Sequence, residues 1–131
     1  ADQTDEGIEI KPGVSVLSAP LKFNMDGCVK FAYPHGHDEL LMVALENKTS
    51  RETLLRTVPE VDADGTFRDF RPHQVYRDDK GFTVTKRDDY EMVMVHHHPL
   101  QNPNIHHGMG NYLLYMTPGV CPRSANTASA R

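Results

Sequence analysis

The chain has 131 residues, 38% of them apolar and 24% charged, with a formal charge of −4. That length suits one domain folding around its own core, so a metal would serve function rather than hold the fold together. The acidic balance excludes a basic nucleic-acid surface, and no apolar run reaches the length, about 18 residues, that a membrane-spanning helix needs.

In chain order, ADQTDEG opens without an initiator Met or an apolar leader. It reads as a mature end left by signal cleavage at a small residue, which predicts an exported protein. Ile8 and Ile10 alternate with charges as a short strand, and Val14, Val16 and Leu21 follow amid Pro and Ser. Cys28 to Tyr33 alternates again and is expected to stop at Pro34. Glu39 to Glu46, ELLMVALE, is a near-continuous apolar run; the turn Asn47-Lys48-Thr49-Ser50 after it favours a buried strand over a helix. That turn also contains a glycosylation sequon, Asn47-Lys48-Thr49.

Thr53 to Val58 is a further strand, followed by an Asp62-Ala63-Asp64-Gly65 turn. The turn begins like a calcium loop and lacks its final Glu. Phe67 to Val75 is mixed, and Asp78-Asp79-Lys80-Gly81 predicts a hairpin turn before Phe82 to Thr85. The charged turn Arg87-Asp88-Asp89 leads into strictly alternating YEMVMVH, Tyr90 to His96. Asn111 to Met116, NYLLYM, is a last strand, and Pro118-Gly119 turns it toward Cys121. The expectation is all-β: a single antiparallel β-sandwich of about eight or nine short strands over residues 1–123, with a flexible polar tail over 124–131. Cys28 and Cys121 form no CxxC motif. They read as a long-range disulfide in an exported chain, or as two buried thiols otherwise.

Five of the eight histidines crowd into HHHPLQNPNIHHGM, residues 96–109. On a strand, His96 shares a face with Tyr90, Met92, Met94 and His98, while His97 faces the other way. One regular strand therefore cannot aim all three at one metal. His106 and His107 are expected in a loop before Met109, where adjacent side chains diverge. His35-Gly36-His37 is different: residues i and i+2 point to one side, so two imidazoles stand together. Two imidazoles suit copper, zinc, nickel or iron, and a thioether such as that of Met109 selects copper. Against this, Met109 reads equally as a gap-filling core residue, and His73 as a structural histidine. No GxSxG or patterned reactive cysteine supports nucleophilic catalysis.

The strand ending FAYPHGH, the later RDDYEMVMV, a loop closing on Met109 and the strand NYLLYM together resemble the second β-sandwich domain of the copper type II ascorbate-dependent monooxygenases. That is the family of peptidylglycine α-hydroxylating and dopamine β-monooxygenases. The resemblance covers about residues 25 to 121. It implies that His35, His37 and Met109 hold one copper, and that Cys28 and Cys121 stand where that domain has a bridging pair. It does not extend to the family's second, three-histidine copper domain, to its substrate-binding residues, or to the extra histidines. Of those, His107 and His98, then His96, His97 and His106, are candidates for an additional site.

The expected function is an exported copper-binding protein, periplasmic or secreted, for copper storage, delivery or tolerance. Copper and a copper donor or acceptor protein are its expected partners, and its oligomeric state is left open. One alternative is a copper-dependent oxygenase or redox enzyme. Another is an interaction module with pH-sensitive or zinc-binding histidines.

Overall fold

The computed structural model describes residues 8–10, 13–36, 40–61, 67–69, 74–98, 106–108 and 110–122. Eleven strands follow one another without a helix among the described residues: β1 (Ile8–Ile10), β2 (Gly13–Leu21), β3 (Gly27–Gly36), β4 (Leu40–Asn47), β5 (Glu52–Thr57), β6 (Glu60–Val61), β7 (Phe67–Asp69), β8 (Tyr76–Val84), β9 (Tyr90–His98), β10 (His106–Gly108) and β11 (Gly110–Pro118). Seven of them build two antiparallel sheets, β2-β9-β4-β5 and β11-β3-β8. The other four pair as two-stranded ribbons, β1-β10 and β6-β7. The eight or nine expected strands thus correspond to the seven in the sheets and to β1, and the short strands β6, β7 and β10 are additional. The tail over 124–131 lies outside the described residues, as do the Asp62-Gly65 turn and His73.

Period-two alternation builds the core. On β9, Tyr90, Met92, Met94 and His96 are buried, while Glu91, Val93, Val95 and His97 between them are half-buried or exposed. Within ELLMVALE, the residues from Leu40 onward are strand, and Leu40, Val43 and Leu45 are wholly buried against Val29 and Ala32 of β3, Leu55 of β5 and Val84 of β8. Each such leucine contributes about 2 kcal/mol by leaving water. Tyr112 of β11 ties the sheets together across this core. Its hydroxyl donates to the Val43 carbonyl at 2.9 Å, so the Thr57 hydroxyl, 2.8 Å away, donates to it.

Two expected stops are corrected. β3 does not end at Pro34; it runs on to Gly36, with Pro34 buried and paired to Tyr112. Pairing with β8 ends at Ala32–Tyr76, so beyond it β3 has only β11 as a neighbour, and a residue without an N–H is tolerated there. Nor do Asp78 to Gly81 form a hairpin. They bulge within the edge strand β8: Phe82 pairs with Val29 and Arg77 with Phe31, leaving four residues opposite Lys30 alone. Asp78 caps the bulge by accepting from the Lys80 N–H at 2.9 Å. Gly81 closes it at φ 71°, where a Cβ would collide with the Val29 carbonyl.

The disulfide reading of the cysteines holds. Cys28 and Cys121 are bonded, with Cα atoms 4.7 Å apart and a sequence separation of 93. No helix among the described residues is long and apolar enough to cross a membrane.

Candidate metal centre

The ends of the strands decide what can meet. β3 and β9 finish, and β2, β4 and β11 begin, at the end of the sandwich opposite the disulfide. There His98 pairs with Gly13, His97 with Val14, and His96 with Ser15 on one side and Leu40 on the other. In the other sheet, Gly36 pairs with Gly110 and His35 with Asn111. His106 and His107 are not in a loop, as expected, but in β10, paired with Ile10 and Glu9. The strand expected over Ile8 and Ile10 is β1 and supplies their partner, while residues 106–108 carry no alternation that would mark so short a strand. One residue separates Gly108 from Gly110, which keeps β10 at this same end. The topology therefore gathers His35, His96, His97, His98, His106 and His107 at one pole of the molecule.

Their side chains do not all converge. Along β3, Ala32 and Pro34 are buried while Tyr33 and His35 are exposed, so His35 is on the outward face of the three-stranded sheet. His97 is exposed on the outward face of the other sheet, and His96 lies between the sheets, 0% exposed. Stacked sheets stand about 10 Å apart, which rules out one mononuclear site shared by His35 and His97. Among the described residues, no three His, Cys, Asp or Glu side chains group closely enough to hold a metal.

His37 and Met109 lie outside the described residues, so the three-residue ligand set is not seen together. What is seen is its anchor. The last pair of the β3–β11 ladder is Gly36–Gly110, and the residues next along the chain are His37 and Met109. The ladder thus brings together backbone positions 36 and 110, some seventy residues apart in the chain. Asn111, opposite His35 in this ladder, is a neighbour that sequence reasoning did not single out. Only the register reveals it, at a Cβ separation of about 5 Å.

The sequon is closed by the fold. Asn47 is 7% exposed; its Nδ2 donates to Asp88 at 3.0 Å and its Oδ1 accepts the Ser50 N–H at 3.0 Å. Thr49 Oγ1 accepts the Asp89 N–H at 2.9 Å. The amide a glycan would need is a structural clamp between two turns. The Asn47 hydrogen bond, foremost, also holds the Asp88 carboxyl below its ordinary range.

No protein-family model, no curated protein and no solved structure matches this chain.

Proposed function

We propose that the protein is an exported copper-binding protein, serving copper storage, delivery or tolerance, and that His35, His37 and Met109 hold the ion. The observation that supports this reading is the Gly36–Gly110 pair at the end of the β3–β11 ladder, which pairs the strand carrying His35 with the strand that follows Met109 in sequence. Two imidazoles and a thioether form a donor set that accepts Cu(II) and holds Cu(I), and that disfavours magnesium or calcium. Glycines at 36, 108 and 110 leave little side-chain bulk around the candidate ligands. The Cys28–Cys121 bond supports an oxidising compartment, and with it export.

The test is competition titration of the apoprotein with Cu(I) and Cu(II), repeated on Met109→Ala and His35→Ala. X-ray absorption of the Cu(I) form accompanies it. Loss of tight binding in both variants, with loss of a sulfur neighbour in Met109→Ala, is the expected result. Unchanged affinity in either variant rejects the ligand set. A second reading, a copper-dependent oxygenase or redox enzyme, draws on the exposure of His35, which leaves a copper there open to a small molecule. Ascorbate-dependent oxygen uptake by the copper-loaded protein would favour it.

A further inference from the structure

The four-stranded sheet has two edges, β2 and β5, and they are unlike. β5 carries exposed Glu52 and Arg56, the usual means of keeping a strand edge from pairing with another chain. β2, GVSVLSAPL, has no charge in nine residues. It pairs with β9 through nine consecutive positions without an irregularity, so its outer edge is regular. Among the described residues no strand pairs with that edge. Val14 and Val16 are 66% and 70% exposed, the two most exposed large apolar residues described. In the other sheet the edge strand β8 is interrupted by its four-residue bulge, and the ladder of the edge strand β11 shifts register between Tyr115 and Met116, where Lys30 of β3 is passed over.

We infer that the edge of β2 pairs antiparallel with β2 of a second copy, making a two-fold dimer with one continuous eight-stranded sheet. The sequence of the strand chooses this occupant. Antiparallel pairing centred on Ser15 sets Val14 of each copy against Val16 of the other, so the two exposed valines cover each other reciprocally. An uncharged strand meets its own copy without like-charge repulsion. Pro20, which cannot donate to a ladder, confines the pairing to the first half of β2, where the valines are. A two-fold pairing uses up the edge in both copies, so assembly stops at two chains.

The test is sedimentation equilibrium of the full chain from about 1 μM to about 1 mM, a range that spans weak to moderate self-association. Wild type is expected to move from monomer toward twice the monomer mass. Val16→Lys, a change at a solvated position of the monomer, is expected to raise the dissociation constant at least about tenfold while the thermal transition stays in place. Val14→Lys serves as the second variant should Val16→Lys misfold. Leu113→Lys, exposed on the other sheet, is expected to leave the mass unchanged. A monomer at every concentration overturns the inference. So does a dimer that survives both valine changes, or one that Leu113→Lys dissociates. Copper binding does not enter the test, so its outcome is independent of the proposed metal centre.

Discussion

At one pole of the sandwich, Cys28 and Cys121 are bonded, the Gly119 N–H donates to the Asp26 carbonyl, and Asp26 also accepts from Lys86. Asn47, Asp88, Thr49 and Asp89 interlock two turns beside it. At the other pole the ladders end on glycines and histidines, and two of the histidines whose side chains are described face solvent from opposite sheets. At the first pole the cysteine sulfurs and the Asn47, Thr49 and Asp26 oxygens are engaged by the protein itself. The second offers imidazoles outward. A single β-sandwich thus carries a cross-linked end and, opposite it, an end at which histidines face solvent.

The sharpest way to break this contrast is to open the first pole. Replacing both Cys28 and Cys121 by Ser releases a loop of 93 residues, and loop-closure entropy predicts a loss of about 4.5 kcal/mol in denaturant unfolding. Copper affinity of the folded fraction should not change. A parallel loss of affinity would show that the poles are not separable. The converse change, Met109→Ala, should lower Cu(I) affinity about 100-fold or more, equivalent to about 2.7 kcal/mol, with unfolding of the apoprotein little affected. Competition titration and denaturant melts, run on the same sample, check both halves of that statement.

Between the poles, Tyr112→Phe removes the hydroxyl joining Val43 to Thr57 and should cost about 1–2 kcal/mol. Burial raises the Tyr112 phenol from 10.0 to about 12. The unfolded chain therefore ionises first as pH rises. Stability from this group is complete below pH 10 and is lost by about pH 12, and Tyr112→Phe should flatten that alkaline decline. The smallest expected effect belongs to Asp88. Its lowered pKa means that its contribution is present above the ordinary carboxylate range and is lost as pH falls through the folded value. An acid titration in which Asp88→Asn loses no steepness would deny the turn clamp its role.

Much of this was legible in the residues. Strict alternation from Tyr90 to His96 gave the faces of β9 directly, because a half-buried strand has to sort its side chains by two. ELLMVALE was decided by its length and the turn after it. Local turn signals misled where tertiary pairing outweighed them. Asp78-Asp79-Lys80-Gly81 has hairpin chemistry, yet β3 pairs with residues on both sides of it and leaves a bulge. Pro34 lacks a donor, but on that stretch of β3 only one neighbour needs one. At the candidate site, spacing singled out His35, but spacing could not show which face it takes or that Asn111 stands across from it. Those follow from register, which links residues far apart in the chain.

The Asn47 clamp also has a consequence for how the protein is made. Asp88 is synthesised 41 residues after Asn47, so a chain entering a eukaryotic secretory route exposes the sequon before its partner exists. A glycan added in that interval would occupy the nitrogen that later has to reach Asp88, and the strand β9 that the turn introduces would dock on an obstructed neighbour. Recombinant production in yeast or animal cells should therefore yield two populations separated by one glycan, the heavier melting lower. A bacterial host should give one.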